Sequence, residues 1–197
     1  MSGYPVFLDL AGERVLVVGG GAVAARKVAG LLRAGAAVTV VAPDAVAELA
    51  EDPDVRWHRR QYRRGEAASY RLVFTATDDP DVNRQVARDG RAANVFVNSA
   101  DDPANCSFTL PAVVDRGDIQ VAVGTNGRSP GFARWLRQRL EHTITDAHAD
   151  TVTLLAELRA EARAEFGTSE LPGWAEAIDD ELVAAVAAGE RQAAADR

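Results

Sequence analysis

Three consecutive glycines, Gly19, Gly20 and Gly21, stand between an apolar run and a segment of helix formers. Glycines in that setting can hold a phosphate, because they permit a tight turn and let backbone approach a ligand with no Cβ in the way. The helix that follows would aim its free N–H groups and positive dipole end at the same point. The pattern reads Gly19-x-Gly21-x-x-Ala24, the dinucleotide fingerprint with alanine in the third place. Gly19, Gly20, Gly21, Ala22 and Val23 are therefore candidate pyrophosphate contacts. An acidic residue at the end of the second strand would grip the adenosine ribose. That place holds Ala42, Pro43 and Asp44, and no arginine stands there to welcome a 2′-phosphate. NAD is the expected cofactor, with Asp44 or the backbone around Pro43 holding the hydroxyls. Thr75, Thr77 and Asp78 lie at the end of a further strand, where open α/β sheets bind ligands. Capping by Asp79 before Pro80 is the competing explanation of that turn.

These residues need a scaffold of alternating strands and helices. Val15 to Val18 read as a strand buried on both faces. A helix runs from Ala22 to about Ala34-Gly35, followed by a strand from Ala37 to Val41. Such a crossover implies parallel strands. Val55–His58, Leu72–Ala76 and Val95–Asn98 are further strands, with a helix from Pro80 to about Ala93. The arginine-rich stretch from Arg59 to Arg64 reads as a solvated loop or helix face. After Phe108 the rhythm breaks into a hairpin, with Leu110–Val114 and Ile119–Val123 flanking the turn Asp115–Asp118. Ser129 and Pro130 open another helix, and from about His142 the chain is alanine-rich and helical, with a break from Gly167 to Gly173. The expected class is α/β: a Rossmann-like parallel sheet followed by a small α+β segment and a helical C-terminal part.

The net charge is −7 and no block of basic residues occurs, which argues against a nucleic-acid or anionic-membrane partner. Cys106 is the only cysteine, so an intrachain disulfide and a zinc knuckle are excluded and a reducing cytoplasm fits. No apolar run approaches the roughly 20 residues of a membrane span. His58, His142 and His148 are scattered without metal-ligand spacing. Lys27 is the only lysine.

Several stretches together resemble one known family, the precorrin-2 dehydrogenases and sirohydrochlorin ferrochelatases that also occur as a module of siroheme synthases. They are Tyr4-Pro-Val-Phe-Leu-Asp-Leu10, Val17 to Lys27, Val38 to Pro43, Thr75 to Asp79 with Asn83, Asn98-Ser-Ala-Asp101, Phe108-Thr-Leu-Pro111, and Gly127-Arg-Ser-Pro130 with Ala133-Arg134. The resemblance implies a homodimer built from a nucleotide domain over residues 1–108, a dimerisation and substrate segment over 109–141 and a helical region over 142–197. It implies oxidation of precorrin-2 by NAD and then insertion of ferrous iron, the metal being a substrate. Methylation of the tetrapyrrole is expected of another protein.

The family's catalytic aspartate falls on Asp101, with Asp102 beside it as a helper or as the base itself. A carboxylate there could take the proton lost during oxidation and those expelled by metal insertion, although Asp-Asp-Pro is also ordinary turn composition. The tetrapyrrole's carboxylates call for guanidinium groups and helix N-termini. Thr125, Arg128, Ser129 and Arg134 are the substrate candidates, solvated surface arginine being the alternative for the two arginines. Cys106 reads as packing. Besides precorrin-2 dehydrogenation alone, without chelation, two rival functions are a nucleotide- or tetrapyrrole-sensing module without chemistry and a dehydrogenase of small hydroxy acids. The second expects a catalytic histidine, and none occurs between His58 and His142.

Overall fold

The computed structural model describes residues 3–100, 102–169 and 172–196. The chain divides into two compact units, Met1–Thr109 and Leu110–Arg197.

The first unit is built on five parallel strands, β1 (Arg14–Val18), β2 (Ala37–Ala42), β3 (Val55–Arg59), β4 (Leu72–Thr75) and β5 (Phe96–Ser99). They lie in the order β3-β2-β1-β4-β5. The central strand explains the unbroken apolar run of β1, since both its faces are covered. Val15 and Val17 join Val28 and Leu31 of α1 (Ala22–Arg33) in one core. Leu16 and Val18 join Val86 of α3 (Pro80–Ala92) in the other. Each such side chain contributes about 1.5–3 kcal/mol by leaving water, so a charge on either face of β1 would not be tolerated. The chain moves outward from β1 to β3 and then crosses back to β4 on the other side of β1. That reversal is a topological switch point, and the carboxyl ends of β1 and β4 flank the crevice it leaves.

Local sequence fixes the helix starts. Asp79 Oδ1 accepts from the backbone N–H groups of Asp81 and Val82 at 2.9 and 3.2 Å, and Pro80 occupies the first turn of α3. A four-residue helix, α2 (Ala47–Ala50), and two 3-10 turns, Glu66–Ser69 and Pro103–Asn105, are too short to carry a readable period. The arginine-rich stretch is not a uniformly solvated one. Arg59 closes β3, while Arg60 is half-buried and makes a two-armed pair with Glu66. A charged side chain with a fixed partner can be held against a fold, which a count of arginines does not reveal.

The second unit opens with an antiparallel hairpin, β6 (Ala112–Arg116) and β7 (Ile119–Val123). The second strand has the expected bounds, but the first runs two residues further into the turn: Arg116 pairs with Ile119, which leaves Gly117-Asp118 as the whole loop. Gly117, at φ +58°, supplies the left-handed turn residue that so short a connection needs. The first strand begins after Pro111, which has no N–H for a ladder. Helix α4 (Pro130–Thr143) starts on Ser129, whose Oγ accepts from Phe132 N at 3.3 Å. Helix α5 (Asp146–Phe166) has a reciprocal cap between Thr145 and His148 and ends at Gly167 in the left-handed region. Leu154 of α5 packs with Leu182 of α6 (Asp180–Ala187) and Ala194 of α7 (Arg191–Ala195) in a small core of its own.

Candidate functional site

The turn after β1 leaves room for a ligand on one side only. Gly19 has φ +120°, and a Cβ added to it would stand 2.2 Å from Ala76 O. A Cβ on Gly20 would stand 2.0 Å from Asp44 O. These two glycines let β1's end approach the segments that follow β4 and β2. Gly21 differs, because its Cβ position has nothing within 4 Å. It caps α1 in extended conformation, and no side chain caps that helix. The N–H groups of the first turn have no partner within a helix, so they face the open side of the turn. The open side of the turn, bordered by Gly21, Ala22 and Val23 at the uncapped start of α1, has the shape and donors a pyrophosphate needs, while Gly19 and Gly20 serve the close approach of backbone behind it.

The turn is also stapled to the end of β2. Gly19 N donates to Val41 O at 3.0 Å, and Val46 N donates to Gly20 O at 2.8 Å. Pro43 and Asp44, both exposed, are thereby held beside the glycines. The sequence shows no arginine at this point, but the fold supplies one. The parallel register pairs Ala42 with Arg59. Arg59 Nη2 donates to Asp44 Oδ1 at 3.1 Å, and its Nε donates to Pro43 O at 3.3 Å. Aligning β2 with β3 residue by residue would have found it.

On the β4 side, Thr75 is fully buried and its hydroxyl lies 2.9 Å from that of Ser99. Thr75 thus ties β4 to β5 inside the sheet. Thr77 Oγ1 accepts from Asp79 N at 2.9 Å, and Asn83 Nδ2 donates to Thr77 O at 2.9 Å, so the turn carrying exposed Asp78 is pinned to α3.

At the end of β5, Asn98 organises the segment that follows. Its Oδ1 accepts from Lys27 Nζ at 3.2 Å, while its Nδ2 donates to Phe108 O at 3.0 Å and faces Cys106 Sγ at 3.7 Å. Lys27 Nζ also stands 5.1 Å from the centroid of the Phe74 ring. The Cys106 thiol does more than pack: it donates to Ser99 O and accepts from Ser99 N, each at 3.2 Å. Asp102 accepts from Asn105 Nδ2 at 2.6 Å. Asp101 lies outside the described residues.

A second polar cluster fastens the chain between β3 and β4 onto α3. Asp89 Oδ2 accepts from Tyr62 Oη and Gly65 N, and Oδ1 accepts from Gln85 Nε2. Burial alone would raise the Asp89 carboxyl, but these three donors hold it below the usual carboxylate range. Burial pushes the Tyr62 hydroxyl well up. The hydrogen bond from Arg60 lowers Glu66, and the same bond raises Arg60.

Within the second unit, Thr125 and Ser129 spend acceptors locally, Thr125 Oγ1 on Ser129 N and Ser129 Oγ on Phe132 N. Arg128 and Arg134, both exposed, bracket this helix start. His142 and His148 are engaged with Gln138 O and with Thr145. Among the described residues no group of three or more histidine, cysteine or acidic side chains is arranged to hold a metal ion. No described helix is long and apolar enough to cross a membrane.

Comparison with known proteins agrees along the chain. Residues 6–112 match the family described as "Putative NAD(P)-binding", and residues 116–143 match the one described as "Sirohaem biosynthesis protein central". Siroheme synthase of Pseudoalteromonas atlantica is 36% identical over 194 residues, 96% of this chain and 42% of the relative. That of Nitrosococcus oceani is 44% identical over 151 residues, 75% of this chain and 32% of the relative. The chain thus spans less than half the length of the curated relatives it matches. The solved structure of SirC, a precorrin-2 dehydrogenase, superposes with a TM-score of 0.78 at 28% identity, covering 98% of each chain. This chain belongs to the family described as putative NAD(P)-binding, whose match covers more than half of it, and along its length it is similar to siroheme synthases and to SirC.

Proposed function

We propose that this chain oxidises precorrin-2 to sirohydrochlorin in an NAD-dependent reaction, and that it then assists insertion of ferrous iron to give siroheme. The observation that carries the reading is the end-to-end likeness to SirC, a precorrin-2 dehydrogenase. The open glycine cradle supports it, as do the siroheme synthase relatives. NAD, when bound, supplies the acceptor for the hydride.

Each of the chain's own residues has a task in this scheme. The backbone from Gly19 to Val23 holds the pyrophosphate, Asp44 beside Pro43 accepts from ribose hydroxyls, and the Thr77–Asp78 turn, anchored behind by Thr75, borders the cofactor. Arg128 and Arg134, with Thr125 and Ser129 between and before them, bind carboxylates of the tetrapyrrole. Oxidation removes a hydride and a proton from the substrate, and the Asp101 carboxylate accepts the proton. Metal insertion expels two pyrrolic protons, which the same carboxylate can receive in turn. The ring nitrogens become the iron's ligands, so the protein needs no metal cluster of its own. Exposed Val113, Phe132 and Trp135 form apolar surface of the kind a second copy would cover, which supports a homodimer. A cytoplasmic setting matches the single free thiol.

The test is to mix the purified chain with precorrin-2 and NAD, follow NADH, and then add ferrous iron under anaerobic conditions. Formation of NADH and sirohydrochlorin is expected. No NADH with either NAD or NADP sinks the dehydrogenase reading. Siroheme forming no faster than in a control without protein sinks the chelatase half.

A further inference from the structure

The rim of the glycine cradle carries two opposite charges where one is expected. Asp44 sits just past β2, on the segment stapled to the turn through Val46 N and Gly20 O, so its distance from the cradle is set by backbone. Arg59 sits at the end of β3, opposite Ala42. Its guanidinium is shared between Asp44 Oδ1 and Pro43 O and lies 5.8 Å from the centroid of the Trp57 ring. The Trp57 indole N–H donates to Ala42 O at 3.1 Å, which fixes that ring against the end of β2. Neighbouring Arg60 is committed to Glu66. Arg59 is therefore a cation held at the rim, and the Arg59 and Asp44 side chains are 72% and 87% exposed.

The chemistry of the two partners pulls in opposite directions. A carboxylate at this point accepts from the ribose hydroxyls of NAD and repels a 2′-phosphate. A guanidinium binds a phosphate through two parallel N–H donors. An ion pair this exposed is weak, so a dianionic phosphate could win the arginine once the competing carboxylate is gone. Given that residues 19–23 bind a dinucleotide, we propose that the Asp44–Arg59 pair determines dinucleotide choice. Asp44 acts twice, as the ribose acceptor and as the restraint on Arg59. Removing its charge converts Arg59 into a 2′-phosphate receptor and opens the site to NADP.

The experiment is a binding titration, by calorimetry or by Trp fluorescence, of NAD and NADP against the whole chain and the variants Asp44→Asn, Arg59→Gln and the double variant. The probes ADP and 2′,5′-ADP isolate the adenosine end. The native chain should prefer NAD and ADP. Asp44→Asn should weaken NAD about tenfold and strengthen NADP and 2′,5′-ADP about tenfold, the scale of one charge-assisted bond lost and one gained. Adding Arg59→Gln should abolish the NADP gain, and that gain should shrink as salt rises. If Asp44→Asn still binds NAD but gains nothing toward NADP, or if the double variant keeps the gain, the proposal is overturned. If the native chain binds neither dinucleotide, the underlying reading of the cradle fails instead. Circular dichroism of each variant checks folding, and substitution at two exposed side chains should leave it unchanged.

Discussion

Lys27 Nζ donates to Asn98 Oδ1 across 3.2 Å, joining α1 to the end of β5 over 71 residues of chain. The bond settles which way the Asn98 amide faces. With the oxygen turned to the ammonium, the nitrogen is left to hold Phe108 O. A lysine two turns after the glycine cradle thereby helps hold Phe108 beside the end of β5. Lys27→Met keeps the stem and deletes the donor, and it should cost about 1–2 kcal/mol, the scale of one partly exposed charge-assisted bond. Lys27→Arg should recover part of that. Urea denaturation of the two variants provides the measurement, and equal loss in both would show that the ammonium itself is not what matters.

The three glycines should separate folding from binding. Gly19→Ala and Gly20→Ala force a Cβ to about 2 Å from backbone oxygen, so both should lower the melting temperature and weaken dinucleotide binding. Gly21→Ala meets open space. It should lose less than about 1 kcal/mol of stability as a changed N-cap while still weakening NAD by tenfold or more, because its methyl fills the ligand's side. Paired melting curves and NAD titrations check this, and unaltered NAD affinity in Gly21→Ala would move the pyrophosphate elsewhere.

Asp101→Asn should reduce NADH formation from precorrin-2 by at least about 100-fold, the lower range for loss of a positioned proton acceptor. NAD affinity should stay near that of the native chain. Activity that survives the substitution would transfer the base to another group, with Asp102 the next to test.

Arg128→Gln and Arg134→Gln should each raise KM for the tetrapyrrole several-fold, leave NAD affinity unchanged, and flatten the dependence of KM on salt. Steady-state kinetics at two ionic strengths distinguish this from a general loss of activity.

Acid should attack the first unit through Glu66 and Asp89. Both carboxyls sit below their ordinary values in the folded state, so across that interval the unfolded chain binds more protons. Their contribution is present in full above the unfolded value, near pH 4, and is lost as pH falls through the lower folded value. Melting temperature measured from pH 7 down to pH 3 should drop steeply at the acid end. The combined Glu66→Gln and Asp89→Asn variant should be less stable at neutral pH and show a shallower acid slope. An unchanged slope would assign acid unfolding to other groups.

How much of this was legible beforehand follows the range of the interactions. The cradle, the strands from Val15 and Leu72, and the Asp79 cap depend on residues within a few positions of each other, and pattern and propensity reach that far. The pairing of Arg59 with Asp44 depends on register between β2 and β3, and the Tyr62–Asp89 cluster joins a loop to a helix 27 residues away. Neither leaves a periodic trace. The hairpin was visible as a hairpin, but its turn length was set by strand twist and a left-handed Gly117 rather than by the polar run that marked it.

Cys106 gives the chain a clock. Its half-buried thiol is tied to both backbone groups of Ser99, so a thiol reagent competes with those two bonds and reacts faster when that stretch of chain loosens. With a single cysteine in the sequence, the rate of chemical labelling reports on this one place in the chain. Ligands that quiet the end of β5 will slow the clock in proportion to how firmly they hold it, even before any product is made.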